Sequence, residues 1–200
     1  ILAVDLGERV MATVCDSTGH KLFLGREVRG IRRHYAWLRK TLGKRKLLKK
    51  IKALAQKEFH KVRNALHHIG NTIVDLAVKT KATIVLGQLK GICKKQRTKR
   101  LNRILFAMPF YTLTQMISYK AEQQGIPVVK VSEAYTSQTC HRCGNKDKNN
   151  RKSQGLFECT SCKLQYNADL NGALNLLDRA TEQDFVAGAQ AYAQKPAATC

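Results

Sequence analysis

Four cysteines in two closely spaced pairs carry the clearest chemical pattern in this sequence. Cys140 and Cys143 form one C-x2-C pair, and after fifteen intervening residues Cys159 and Cys162 form a second. Each pair can sit on a short turn and direct two thiolates at one ion, and four thiolates complete the tetrahedral shell of a closed zinc site. The spacing therefore predicts a zinc ribbon over residues 138–165 that holds a structural Zn²⁺ ion.

Three carboxylates stand where acidic side chains could bind a metal. Asp5 interrupts the apolar run Ile1 to Leu6, and a carboxylate buried in a strand is costly unless it binds a cation or a hydrogen-bond donor. Glu133 follows a second apolar run, Ile126 to Val131, and Asp169 falls in the first turn of a later helix. Each has an ordinary alternative: a hydrogen-bonded core aspartate, a solvated acid at a strand end, and an acid that complements the helix dipole. From the residues alone both interpretations stay open.

Positive charge dominates the composition. The 200 residues carry a formal net charge of +22, far more than solubility requires, so we expect a polyanionic partner, with nucleic acid favoured over an anionic membrane surface. Glu58 is the only acid between Arg29 and Arg63, whereas a merely solvated face would mix the two signs. The predicted phosphate-binding residues are Arg32, Arg33, Arg39, Lys40, Lys44, Arg45, Lys46, Lys49 and Lys50, followed in a later loop by Lys94, Lys95, Arg97, Lys99 and Arg100.

The remaining patterns predict an α/β fold around these residues. Apolar positions at helical spacing from Ile31 to Lys79 indicate two helices that are broken near Gly43. A strand, a helix and a strand then follow in that order, which favours a parallel pair of strands beside the opening meander. The predicted strands are Ile1–Leu6, Val10–Cys15, Lys21–Leu24, Ala82–Leu86 and Val128–Val131, with a helix over Phe110–Gln124 that Gly125 closes and a last helix capped by Asn167.

The order of these parts resembles the TnpB (OrfB) proteins of transposons, which are RNA-guided nucleases related to type V CRISPR effectors and to Fanzor proteins. The resemblance runs from Ile1 to about Arg179. It rests on the Asp5 strand, the basic hairpin, the four-cysteine ribbon and the segments Leu86-Gly87-Gln88-Leu89-Lys90-Gly91, Tyr135-Thr136-Ser137-Gln138-Thr139-Cys140 and Asn167-Ala168-Asp169-Leu170-Asn171.

The resemblance implies an RNase H-like (RuvC) mixed sheet with flanking helices and an inserted small zinc ribbon. It divides the chain into a nuclease core at residues 1–137 with a basic hairpin at about 29–80, the ribbon at 138–165, a last helix at 166–180 and a tail of no assigned role at 181–200. The chain begins at Ile1 inside a strand-like run, so we expect that the N-terminal domains of this family precede it.

The resemblance also implies three carboxylates that hold two catalytic Mg²⁺ ions. Asp5 and Asp169 match two of them, but Gly87 stands at the usual position of the third, a glutamate. Either the nuclease is inactive, or the carboxylate has moved to Glu133, as in some relatives. Glu133 could reach the same place because parallel strands about 4.8 Å apart end at the same edge of a sheet. We predict the relocated site, with Glu122 as a less favoured candidate.

We therefore expect a Mg²⁺-dependent DNA endonuclease domain that acts on target DNA with a guide RNA. The alternatives are a nuclease-inactive, RNA-guided DNA-binding protein that serves as a transcriptional regulator or transposon accessory factor, and a plain nucleic-acid-binding scaffold. The other three cysteines, Cys15, Cys93 and Cys200, are scattered singly. This usage suits a reducing compartment, so we expect a cytoplasmic or nucleoid-associated protein, or a nuclear one in a eukaryote.

Overall fold

A computed structural model of the protein describes residues 1–88 and 108–182. Several sequence predictions fall outside these residues: the loop cations Lys94, Lys95, Arg97, Lys99 and Arg100, the end of the Leu86 to Gly91 motif, and nearly all of the segment predicted as a tail.

A five-stranded mixed sheet forms the centre of the fold. Its strands are β1 (Leu2–Asp5), β2 (Ala12–Asp16), β3 (Lys21–Leu24), β4 (Ile84–Gln88) and β5 (Val128–Ser132), in the spatial order β3-β2-β1-β4-β5. The first three strands pair antiparallel as a meander, whereas β4 pairs parallel to both β1 and β5. The α/β class, the opening meander and the parallel pair predicted from the sequence are confirmed.

Within residues 1–88 and 108–182, four helices accompany the sheet. They are α1 (Arg26–Lys44), α2 (Leu48–Thr80), α3 (Phe110–Gln123) and α4 (Ala168–Glu182). The break between α1 and α2 falls at residues 45–47, close to the predicted position, although α1 begins five residues before Ile31. Helices α1 and α2 pack against each other as a hairpin, and α3 packs against α2.

The two faces of the sheet bury different partners because alternate residues of a strand point to opposite sides. Leu2 and Val4 of β1 pack with apolar side chains of α2 and α3, while Ala3 between them packs with Leu170 and Leu176 of α4. The sheet is therefore a middle layer, and α4 alone among the described helices covers the face on which Ala3 lies.

Two helix ends follow the predicted capping chemistry. Gly125 has a φ of 66°, which is the left-handed conformation that glycine adopts without strain, and it ends α3 as predicted. At the start of α4, the Asn167 side-chain oxygen accepts hydrogen bonds from the backbone N–H groups of Asp169 and Leu170, both at 3.0 Å. This cap fixes the helical turn that carries Asp169.

The ribbon lies between β5 and α4. It contains a short 3-10 helix (Lys148–Asn150) and a two-stranded antiparallel sheet of β6 (Leu156–Glu158) and β7 (Gln165–Asn167). The small core of the ribbon is formed by Phe157 together with Cys140, Cys159 and Ala168. Among the described residues, no helix is both long enough and apolar enough to cross a membrane.

Candidate active site and metal centre

The four cysteines of the ribbon converge on one point. Their sulfur atoms all lie within 4.8 Å of one another, with 3.5 Å between the sulfurs of Cys143 and Cys159 and 3.7 Å between those of Cys140 and Cys162. This grouping fits the four-thiolate shell of a zinc ion. Four protein ligands leave no open coordination position on the zinc at which a substrate or water could bind.

The two most buried cysteines of the cluster differ: burial raises the pKa of Cys140 to about 12, whereas hydrogen bonds favour the thiolate of Cys159. Burial opposes ionisation of Cys159, but the backbone N–H groups of Cys162 and Ser161 outweigh it and lower the pKa of Cys159 to about 6. Nearby, the fully buried Asn150 donates to the carbonyls of Gln138 and Asn145 and accepts from the backbone of Thr160. The turns that carry the cysteine pairs are therefore tied together by an amide side chain as well as by the sulfur cluster.

Asp5 ends β1 beneath helix α4. A Cβ atom at Gly172 would lie 2.7 Å from Oδ2 of Asp5, so only glycine lets the helix come this close. Burial raises the pKa of Asp5 well above its usual range, and the negative charges of Glu133 and Asp169 raise it further. Asp5 therefore lies within electrostatic reach of both other predicted carboxylates.

Glu133 directly follows β5, and its side chain turns toward the neighbouring strand β4. A Cβ atom at Gly87 would overlap the carboxyl group of Glu133, so that group occupies the space in which a side chain at position 87 would begin. Burial raises the pKa of Glu133 to about 7. Its Oε1 atom is buried and has no hydrogen-bond partner within residues 1–88 and 108–182.

Asp169 completes the group from the first turn of α4. Its carboxyl lies over Gly7, where a Cβ atom would be 3.9 Å from Oδ1. Burial raises the pKa of Asp169, although the positive charges of Arg151 and Arg9 act in the opposite direction. Nη2 of Arg151 lies 3.4 Å from Oδ1 of Asp169, so the ribbon contributes a cation to the carboxylate site.

This carboxylate cluster has the properties of a cation site. Burial raises the pKa values of Asp5 and Glu133, and Oε1 of Glu133 is a buried hydrogen-bond acceptor that no donor within the described residues reaches. Oxygen donors of this kind suit a hard divalent cation. The donor set therefore fits the ions that the sequence predicts at this position.

Two other acids lie away from the cluster or are already paired. Glu122 is exposed near the end of α3, which leads into the start of β5, so it lies at the opposite end of that strand from Glu133. Glu8 approaches Asp169 closely enough to raise the pKa of Asp169, but its Oε1 atom is 2.7 Å from Nε of Arg29. Neither residue matches Glu133 as a third ligand.

Helix α4 also holds the loop that carries Glu133, a role that the sequence analysis missed. Asn171 and Asn175 each donate to the carbonyls of Thr136 and Thr139, at 2.8 to 3.3 Å. One turn later, the guanidinium of Arg179 donates to the carbonyls on both sides of Glu133, at Ser132 (2.5 Å) and Ala134 (2.6 Å). The sequence did contain a signal for this role: the three polar residues recur every four positions and so share one face of α4, separate from its apolar residues.

The basic hairpin divides into two groups of cations. Arg32 and Arg39 form ion pairs with the buried Glu58, which links α1 to α2. The other predicted cations of the hairpin are exposed: Arg33, Lys40, Lys44, Arg45, Lys46, Lys49 and Lys50. The first group therefore serves the fold at least in part, while the second presents its charge to solvent.

Comparisons with known proteins identify relatives of this chain. A family model described as the TNB domain of Cas12f1-like proteins matches residues 110–176. The chain is 38% identical over 135 residues to the CRISPR-associated endodeoxyribonuclease Cas12f1 of Sulfoacidibacillus thermotolerans, over 67% of this chain and 31% of that protein. It is 27% identical over 195 residues to the TnpB-like protein MJ0751 of Methanocaldococcus jannaschii, over 91% of this chain and 69% of that protein.

The fold also matches a solved structure. The cryo-EM structure of a Cas12f1–sgRNA–target DNA complex contains a chain that superposes with a TM-score of 0.67 at 22% identity, over 88% of this chain and 49% of that one. The chain thus spans only part of the relatives that it matches. The resemblance predicted from the sequence is confirmed.

Proposed function

Because the chain is related to the TnpB-like proteins and to Cas12f1, we propose that it forms the RuvC-like nuclease domain of an RNA-guided DNA endonuclease with an RNase H-like sheet. Asp5, Glu133 and Asp169 would hold two Mg²⁺ ions. The observation that carries the proposal is the carboxyl group of Glu133, which fills the space over Gly87, has a buried oxygen with no partner among the described residues, and lies close enough to raise the pKa of Asp5. The strand order β3-β2-β1-β4-β5 supports the RNase H-like assignment.

The chemistry that such ions supply is activation of a water nucleophile and stabilisation of the leaving 3′ oxygen in phosphodiester hydrolysis. The protein supports this chemistry by placing two carboxylates on neighbouring strands and the third on the helix that packs over them. Arg151 lies against Asp169 and offers a positive charge where a phosphate of the substrate would approach. The exposed cations of the hairpin would bind the nucleic-acid backbone at a distance from the reaction.

The ribbon has a structural role in this proposal. Its four sulfurs would hold Zn²⁺, which stabilises the turns between β5 and α4. Since Arg151 belongs to the ribbon and reaches Asp169, the zinc would also keep this arginine at the carboxylate site. Target DNA and a guide RNA are the proposed partners.

The test is cleavage of target DNA by the full-length protein with its guide RNA in Mg²⁺ or Mn²⁺. We expect Glu133→Gln and Asp5→Ala to abolish cleavage while DNA binding persists, because binding rests on phosphate contacts elsewhere. Glu122→Gln is the matched control and should cut like the parent protein. If Glu133→Gln cuts at the parent rate, the relocated ligand is wrong.

Moving the carboxylate back sharpens the test. Gly87→Glu alone should be inactive, because its side chain would collide with Glu133. Gly87→Glu combined with Glu133→Ala removes that collision and should recover cleavage. A parent protein that binds guided DNA but never cuts it would instead support the RNA-guided binding protein, for which Gly87 at the usual glutamate position is the favouring observation.

A further inference from the structure

Tyr135, two residues after Glu133, has a backbone conformation that an aromatic residue seldom adopts. Its φ is 66°, in the left-handed region that glycine and asparagine enter with much less strain than a bulky residue. Strained positions of this kind persist where the surrounding structure imposes them, and they concentrate at functional sites. Glycine or asparagine would fit this backbone with less strain, so the presence of tyrosine indicates a role for its side chain.

The surrounding loop imposes this conformation. The carbonyl of Tyr135 accepts hydrogen bonds from the backbone of Gln138 (2.9 Å) and from both the backbone (3.0 Å) and the hydroxyl (3.0 Å) of Thr139. Asn171 and Asn175 of α4 in turn hold the carbonyls of this loop. The backbone turn would form equally well, and with less strain, around a smaller residue.

The side chain of Tyr135 contributes little to the core. The residue is 54% exposed, although exposed aromatic surface is unfavourable in water. The ammonium of Lys146, from the ribbon, lies 3.2 Å from the centre of the ring. The ammonium thus covers one face of the ring. An exposed aromatic ring with a cation at hand is a combination that binds single-stranded nucleic acids, because a base can stack on the other ring face and a phosphate can pair with the cation.

The position of this pair relative to the carboxylates agrees with such a role. Tyr135 is separated from Glu133 by one residue, so their Cα atoms are at most about 7 Å apart. Arg179 fixes the carbonyls of Ser132 and Ala134, so the segment between the two side chains is held. A DNA strand whose phosphodiester reached the carboxylates would pass beside Tyr135.

We propose that Tyr135 and Lys146 form a subsite for single-stranded DNA, in which a base stacks on the Tyr135 ring and the Lys146 ammonium contacts a neighbouring phosphate. The position of this subsite next to a reactive centre rests on the proposed function. The binding itself does not, because a stacked base and a paired phosphate need neither a metal ion nor cleavage.

The experiment measures binding in a protein that cannot cut. Asp5→Ala protein without added Mg²⁺ is titrated with a single-stranded oligonucleotide that contains 2-aminopurine, whose fluorescence falls when the base stacks on an aromatic ring. Tyr135→Asn should abolish the quenching and weaken binding about 5- to 150-fold, which is the range for loss of one stacked base. Tyr135→Phe should retain both. Lys146→Gln should lower the slope of log K against log salt by about 0.7.

Stability provides the independent readout. Because asparagine and glycine suit the left-handed backbone, Tyr135→Asn and Tyr135→Gly should leave the unfolding midpoint unchanged or raise it. Tyr111→Ala, at a 77% exposed tyrosine of α3, is the matched control and should change neither quenching nor affinity. The proposal is overturned if Tyr135→Asn preserves quenching and affinity, or if it destabilises the fold and so shows that the ring is structural. Failure of the parent protein to cut DNA would refute the proposed function and leave this binding result intact.

Discussion

The ribbon and the carboxylate cluster are both candidate metal sites, but the chain assembles them in different ways. The four cysteines lie within residues 140–162 and meet through two short turns. The carboxylates come from the end of β1, from the residue after β5 and from the first turn of α4, so they meet only when the sheet and its covering helix are in place. Disrupting the local cysteine site should therefore unfold only the ribbon, whereas a change in the carboxylate site should alter the stability of the whole domain.

The largest expected effect tests the local character of the ribbon. Cys140→Ser should release one zinc ion per chain, because metal binding contributes about 10 to 16 kcal/mol to the folding of small zinc domains. Elemental analysis should show the loss, and hydrogen exchange should increase over residues 138–165 while the five-stranded sheet stays protected. Ser161→Ala, in the second cysteine turn but outside the sulfur cluster, is the control. Zinc-free parent protein, or a sheet that unfolds with the ribbon, would remove the contrast.

The carboxylate cluster should instead make the stability of the whole domain depend on pH. The pKa of Glu133 is about 7 in the folded protein and about 4.5 unfolded, so the folded state keeps a proton that the unfolded state has lost between these values. Without added divalent ions, stability should therefore fall as the pH rises from about 4.5 to about 7, by at most about 3 kcal/mol from this group.

The measurement is the free energy of unfolding in urea at pH 5 and pH 7.5. Glu133→Gln should flatten the difference between the two values, because glutamine does not titrate, while the exposed Glu122→Gln should leave it unchanged. Added Mg²⁺ should oppose the fall in the parent protein, since it binds the ionised form. Equal pH dependence in the parent and in Glu133→Gln would show that Glu133 does not share the buried cluster.

A smaller effect should appear where the two regions are joined. The side chain of Asn175 donates to the carbonyls of Thr136 and Thr139 between the sheet and the ribbon, both at 2.8 Å. Asn175→Ala would leave these carbonyls with fewer donors and should cost about 2 kcal/mol in urea unfolding. Asn149→Ala, at an exposed position of the ribbon, should cost much less. If both substitutions have the same cost, the contact from α4 does not couple the two regions.

The smallest effect separates the hairpin from both metal sites. Replacing the exposed Lys46, Lys49 and Lys50 by alanine should weaken DNA binding and lower the slope of log K against log salt by up to about 0.7 to 0.9 for each lost phosphate contact. Zinc content and the pH dependence of stability should not change. An unchanged salt slope would place the phosphate contacts elsewhere.

The same contrast between local and long-range features explains which elements of the fold could be predicted from the sequence. Hydrophobic periodicity located α2 and the break after α1, and Asn167 and Gly125 gave helix ends that the structure confirms. These features depend on local backbone preferences and on one apolar face, which a short window of sequence records. The start of α1 was missed because its first turn contains few apolar residues, so the pattern began only at Ile31.

The sequence by itself determined the cysteine cluster, because a C-x2-C pair brings its own two sulfurs together and a second pair needs only a short connection. It also identified the three carboxylates, but the roles of Glu133 and Gly87 depended on resemblance. Only the tertiary structure decided that the Glu133 carboxyl fills the space over Gly87, that Arg151 reaches Asp169, and that Asn171, Asn175 and Arg179 hold the intervening loop. These contacts join residues far apart in the chain, and their geometry is set by strand register and by the close packing of α4 on the sheet, which no local pattern encodes.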